Sequence, residues 1–281
     1  MSRLVILKMV AGDGRRRACL FTALGLLAAG CATVQTTAPG AIGIQRRQQM
    51  LVSEQEVAGA AQAAYAQEIQ KARSSGQLNS EPALLARVRR VSQRLIPVTA
   101  VFRPEAPAWP WEVNVQATPE VNAYCMPGGK IMVYSGLVDK LALSDAELAA
   151  VVGHEMAHAL REHTRERMSR ARAEDLLLTG VAVLTGLGQL GTELVGEVAN
   201  VTFQLPHSRE QEAEADEIGL ELMARAGYDP HAAVRLWQKM AANPQSELPQ
   251  FLSTHPSGES RIADLEARVP VVLPLYQAAQ H

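Results

Sequence analysis

The chain is short of aromatic side chains, which make up 4% of its residues, so its core must be built from Leu, Val, Ile and Ala. It has three cysteines, at positions 19, 31 and 125, and the first lies in an N-terminal leader. An internal disulfide framework is therefore excluded as the source of stability. It also lacks a basic surplus. Residues 1–30 carry five basic side chains and one acid, and the remainder holds 22 basic against 28 acidic residues, a net of −6. Phosphate neutralisation needs a basic patch, so no nucleic-acid partner is expected. No apolar run in the leader approaches the ~20 residues of a membrane-spanning helix. What is present, 47% hydrophobic and 20% charged residues, suits a folded body and excludes disordered, collagenous and coiled-coil chains.

The leader reads as an address. Arg15-Arg16-Arg17 precedes an uncharged run from Ala18 to Ala29, followed by small residues, the pattern of a secretory signal. Leu26-Leu27-Ala28-Ala29-Gly30-Cys31 resembles a bacterial lipoprotein box, which implies that Cys31 carries the lipid that anchors the mature protein. Ala32 after that cysteine implies, by the same resemblance, sorting to the outer membrane, with the protein body in the periplasm. The expected organisation is a signal peptide over residues 1–30, a tether over 31–50, the main folded domain over 51–270 and a C-terminal tail over 271–281.

Three capping boxes, at Ser53/Glu56, Ser144/Glu147 and Ser208/Gln211, predict helix starts. The expected helices run to about Arg73, about Arg170 and about Gly227, with others over 81–95, 230–242 and 259–268. Trp111 to Val115 and Lys130 to Tyr134 alternate as strands do, and Pro127-Gly128-Gly129 supplies a hairpin turn. Pro97 to Pro110 reads as a proline-rich connection, and the glycine-rich segment 176–192 as a buried helix or a cover over a cleft. The fold class is α+β: one mostly helical domain with a small β-sheet.

The chemistry concentrates in His154-Glu155-Met156-Ala157-His158. On a helix the two histidines sit at i and i+4 on one face, where neutral imidazoles can hold one Zn²⁺ per chain and Glu155 can act as general base. Random order of seven His and 22 Glu would produce this pattern with a probability of roughly 0.01. A catalytic zinc usually takes a third protein ligand. Arg161 and Thr164 stand where the HExxHxxGxxH variant needs Gly and His, so a carboxylate from a later helix is required. The segment Ser208-Arg-Glu-Gln-Glu-Ala-Glu-Ala-Asp216 offers Glu212 and Asp216 on one helical face, with Glu210 and Glu214 turned away; spacing leaves the choice between Glu212 and Asp216 open.

His154–His158 together with Ser208–Asp216 resembles the HtpX-like zinc metallopeptidases, a family related to the CAAX prenyl endopeptidases. Within it the chain is most similar to the periplasmic, BepA-like lipoprotein branch. Met50 to Glu56, Asn122 to Tyr134, Ser253-Thr-His-Pro256 and Ser260-Arg-Ile262 carry the same likeness. The resemblance implies a zincin-like fold, Glu212 as third metal ligand and Asp216 as the group that orients a ligand. The chain ends soon after Arg268, so no helical-repeat domain is expected, and without several membrane spans a prenylated substrate is not implied. The clients implied are misfolded or stalled envelope proteins.

His255, before Pro256, has a functional reading as a group that occupies the water position at rest or donates to the oxyanion; His207 is the alternative donor. His163, His231 and His281 read as surface residues, and Cys125 as a small buried hydrophobe whose thiol could be inhibitory if it lay near zinc. The strand from Lys130 to Tyr134 could be an edge that binds extended substrate or an interior strand. The expected function is a zinc-dependent endopeptidase of the bacterial envelope; the alternative is a latent or non-catalytic zinc-binding chaperone or assembly factor.

Overall fold

Each of the three capping boxes closes in both directions. Ser53 Oγ accepts from the Glu56 amide and the Glu56 carboxylate accepts from the Ser53 amide, and the same exchange occurs at Ser144/Glu147 and Ser208/Gln211. These satisfy amides that the first turn leaves without partners. The computed structural model describes residues 32–179, 190–243, 249–255 and 260–281. Cys31, the leader and residues 180–189 of the glycine-rich segment lie outside the described residues.

The element order is β1 (Ala32–Val34), β2 (Gln48–Met50), α1 (Glu54–Ser74), α2 (Pro82–Leu95), two 3₁₀ turns (Pro97–Val101 and Ala106–Ala108), then β3 (Glu112–Gln116), β4 (Ala123–Met126) and β5 (Lys130–Tyr134). There follow α3 (Ser135–Lys140), α4 (Asp145–Leu160), α5 (His163–Thr179), α6 (Leu190–Phe203), α7 (Arg209–Arg225), α8 (His231–Ala242), α9 (Pro249–Thr254) and α10 (Ser260–Ala278).

The sheet runs in the order β3-β5-β4, with β5 parallel to β3 and antiparallel to β4. Its two faces feed two cores through the two-residue side-chain period of a strand. Val115, Ala123, Cys125, Ile131 and Val133 join the larger core with α2, α4, α7 and α8. Tyr124, Met126, Met132 and Tyr134 join a smaller core with Val57, Tyr65, Met168 and Val198. The scarce aromatics are shared between the two cores, and in the smaller one Tyr124 meets Tyr65, Tyr134 and Phe203 edge-on.

Lys130 to Tyr134 is therefore the central strand, buried along its whole length, and not an edge. The edges are β3 and β4, and alternation does not mark β4 because all four of its residues are buried. The expected tether is also overturned over residues 32–50. β1 pairs with β2, Ile44 and Gln48 are buried, and Ala38 N donates to Phe102 O at 2.8 Å. The polar and small residues of this stretch lie on the body because buried ionic partners await them there. The expected tail continues α10 to Ala278 in spite of Pro270 and Pro274, with Val269 and Val272 buried.

The helix after Ser144 breaks earlier than expected. Glu162 adopts φ 53°, a left-handed conformation costing on the order of 1–2 kcal/mol for a non-glycine residue. Its carboxylate bonds Arg103 and Arg165, which hold the turn in place. The break turns His163 back toward α4.

Helices α4 and α7 touch backbone to backbone. A Cβ on Gly219 would lie 2.8 Å from His154 N, and one on Gly153 would lie 3.1 Å from Gly219 O. Only glycine permits that approach. Gly219→Ala is expected to lower the unfolding free energy by about 1–3 kcal/mol through overpacking. Denaturant titration checks this, and an unchanged midpoint would contradict the close contact.

Candidate metal centre

With α4 and α7 in contact, the faces bearing His154, Glu155, His158, Glu212 and Asp216 meet. His154 Nε2 lies 3.1 Å from His158 Nε2. Glu212 reaches both rings, at 3.5 Å from His154 Nε2 and 3.3 Å from His158 Nε2. Asp216 does not enter this cluster from the inside; its Oδ1 is 3.0 Å from His154 Nδ1 on the outer side of the ring. His255, at the end of α9, places Nδ1 3.2 Å from His154 Nε2 and 3.1 Å from Glu212 Oε1. Its Nε2 is 3.4 Å from Glu155 Oε1. His154, His158, Glu212 and His255 thus converge as a set of four potential ligand atoms.

The donor set fits a cation. His154 Nδ1 is committed to Asp216, a carboxylate that can only accept when ionised, so its proton sits on that nitrogen. A neutral His154 then turns a lone pair on Nε2 toward His158 Nε2. Two facing nitrogens 3.1 Å apart need a proton or a cation between them. Glu155 Oε1 is buried and accepts no hydrogen bond among the described residues, which a bound ion would remedy. Thiolate is absent from the set, and imidazole with carboxylate suits zinc among other divalent ions.

The electrostatics agree. Burial pushes the Glu212 carboxyl up, but His255 and the bonds from the three imidazoles outweigh it and hold it well below the usual range. Burial lowers the pKa of His154, yet Asp216 and Glu212 raise it to about 9, so the pocket favours positive charge at this point. Glu155 is raised by burial, offset in part by His255 and His154, which suits a group that must take and release a proton. Its neighbour Cys125 is a neutral, buried thiol, pushed well up by burial and by Glu155.

Several residues hold this centre that sequence reasoning did not assign. Arg261 is buried and bonds both Asp216 oxygens through Nε and Nη2, while its Nη1 lies 2.8 Å from Glu212 Oε2. Its guanidinium lies over the Trp237 ring at 3.5 Å. The signal was Ser260-Arg-Ile262, quoted above for its likeness but given no role. His163 is fully buried, against the expectation of a surface residue, because the Glu162 turn aims it at His158. Glu214 is turned away from the centre as expected, yet it is buried, bonded to His163, Arg161 and Arg46. His231 and His281 lie outside the cluster, and His207 stacks on His158 and His255 with its amide donating to Thr254 O.

A cavity of about 20 Å³, room for one water, lies among Ala123, Cys125, Glu155, His158, Thr202 and His255. His154, Glu155, His158, Glu212 and His255 are each no more than 5% exposed, so the centre is closed.

Two helices that present a His-Glu-x-x-His face and a glutamate to one point define a metal centre of the metallopeptidase kind. Residues 82–269, more than half of the chain, match peptidase family M48, and the chain belongs to that family. It is similar to the mitochondrial metalloendopeptidase OMA1 of Arabidopsis thaliana, 41% identical over 151 residues that cover 54% of this chain and 30% of the relative. The OMA1 of Schizosaccharomyces pombe is 38% identical over 186 residues, 65% of this chain and 52% of the relative. The metalloprotease LoiP of Escherichia coli is 29% identical over 161 residues, 57% and 63% respectively. The chain spans about a third to a half of the length of these mitochondrial relatives.

Glu166 ties the segment before α1 to this framework, accepting from Arg46, Gln48 and Gln211. Burial raises its carboxyl, but Arg46 and the two amides pull it down to about 2. A depressed folded-state pKa contributes stability above the unfolded value near 4.3, and that contribution fades as pH falls toward 2. Glu166→Gln is expected to cost about 2–4 kcal/mol at pH 7. The gap from wild type should narrow steadily below pH 4 in thermal melts; a pH-independent gap would contradict the assignment.

Proposed function

We propose that this protein is a zinc-dependent endopeptidase with Glu155 as general base and His154, His158 and Glu212 as the metal ligands. The convergence of those three ligand atoms beside a buried Glu155 oxygen that accepts no hydrogen bond among the described residues is the observation that carries the reading. Zinc, when bound, supplies a Lewis acid that polarises a carbonyl and acidifies water. Glu155, which lines the one-water cavity, takes the proton as the water oxygen bonds to the peptide carbonyl carbon, and returns it to the leaving nitrogen as the C–N bond breaks. Asp216, bonded at His154 Nδ1, keeps the other nitrogen of that ring free for the metal.

Substrate would lie along β4, which pairs with β5 on one side only and contributes Ala123 to Cys125 to the cavity wall. Backbone pairing of that kind reads extended chain more than side chains, which suits unfolded clients. Misfolded or misassembled envelope proteins are the proposed substrates. The lipoprotein-like leader supports a periplasmic enzyme held at the outer membrane by lipidated Cys31. Among the described residues no helix is long and apolar enough to cross a membrane.

The burial of the centre favours a closed resting form. His255 stands between Glu155 and Glu212, where it fills the space that the reacting groups need. A zinc-binding chaperone or assembly factor with a masked site is the reading that this burial would otherwise support.

Cleavage of an unfolded model protein by the metal-loaded chain distinguishes the two. Glu155→Gln is expected to reduce the rate by about 10²–10⁴-fold while retaining zinc. Equal cleavage by wild type and variant would refute the mechanism, and no cleavage by either would favour the binding protein. His255→Ala is expected to raise the rate as the space is cleared; a fall would make His255 a donor to the reaction.

A further inference from the structure

Behind the ligand set runs a chain of buried polar groups that the proposed chemistry does not use. His158 Nδ1 lies 2.8 Å from His163 Nδ1, and His163 Nε2 lies 3.0 Å from Glu214 Oε2. Glu214 is bonded in turn by Arg161 Nη2 at 2.8 Å, by Arg46 Nε at 2.9 Å and by Arg46 Nη2 at 2.8 Å. Arg46 also pairs with Glu166.

Proton positions along this chain follow from the acid at its end. Two guanidinium groups, Arg46 and Arg161, donate to Glu214, so its carboxylate accepts and His163 Nε2 donates. With its Nε2 proton committed to Glu214, a neutral His163 turns the lone pair of Nδ1 toward His158. The neighbouring Nδ1 of His158 must then donate, and His158 Nε2 is left free, facing His154 and Glu212. In the opposite tautomer a proton would point into the metal centre.

Residues before α1 complete the hold. Arg161 Nη2 donates to Arg46 O at 3.0 Å, Gln48 Nε2 donates to Arg161 O at 2.7 Å, and Ala41 N donates to Glu221 at 2.7 Å. His207 does not turn this cluster into a second cation site, because the Arg167 guanidinium lies 3.2 Å from both of its ring nitrogens.

We propose that His163 and Glu214 are positioning residues that hold His158 in its metal-binding tautomer, and that Arg46 makes this hold depend on docking of the segment before α1. The inference rests on the metal-centre reading above. Outer groups bonded to ligand imidazoles commonly govern metal affinity, and here the outer group is itself an imidazole anchored through an acid to a separate segment.

The test uses the full chain in detergent, with zinc dissociation constants from chelator competition, Co²⁺ absorption spectra and melting of the metal-free forms. His163→Leu is expected to weaken zinc binding by about 10–100-fold and to change the Co²⁺ spectrum. His163→Asn should recover most of the affinity, because its side-chain oxygen can accept near the place of Nδ1. Arg46→Met should weaken binding by about 3–10-fold, and the double variant with His163→Leu should be no weaker than His163→Leu alone.

Unchanged affinity in His163→Leu with a wild-type spectrum would overturn the positioning role. Should that variant fail to fold, unchanged zinc affinity in Arg46→Met would overturn the proposal instead. Additive losses in the double variant would overturn the coupling to Arg46. A wild-type chain that binds no zinc would overturn this inference and the metal-centre reading together.

Discussion

The contact between Gly153 on α4 and Gly219 on α7 is the constraint on which the rest of the molecule depends. Two helices that approach with no side chain between them bring their flanking residues closer than ordinary ridge-and-groove packing allows. His154 adjoins Gly153 on α4 and Asp216 stands about one turn from Gly219 on α7, the two 3.0 Å apart, and His158 and Glu212 follow from helical periodicity. The apolar side chains around them, Val151, Val152, Ile218 and Leu222, are buried in the larger core and fix the pair of helices in register.

Placing so many ionisable groups in a closed interior is costly unless each is paired. The structure meets that requirement with two arginine-centred networks on opposite sides of the centre. Arg261 binds Asp216 and Glu212 on one side, and Arg161 and Arg46 bind Glu214 on the other. The two networks face His154 and His158 respectively, each from its outer nitrogen. The inner nitrogens and Glu212 then form the one place where positive charge is still wanted, and the elevated pKa of His154 expresses that demand in proton form. A metal ion competes with that proton, so acid conditions should oppose metal binding.

Much of the architecture was legible in the residues because local chemistry dictates it. Capping boxes at Ser53, Ser144 and Ser208 mark helix starts in the sequence and in the structure alike. The His-Glu-x-x-His face is legible for the same reason, since i and i+4 on a helix meet whatever surrounds them. Long-range placement was not legible. Nothing local shows that β4 would be an edge of the sheet, and its continuous burial hides the alternation that marks a half-exposed strand. Residues 32–50 look like a tether because their partners, Glu166, Glu214 and Glu221, lie more than a hundred residues away. His163 looked like a surface residue because its burial depends on the left-handed turn at Glu162, an unusual conformation for that residue type.

Anomalous diffraction at the zinc edge from crystals of the metal-loaded chain tests the central claim most directly. The account predicts one strong peak per chain, within about 2.2 Å of Nε2 on both His154 and His158 and of a Glu212 oxygen. A peak elsewhere, or a zinc ion held without Glu212, would contradict it.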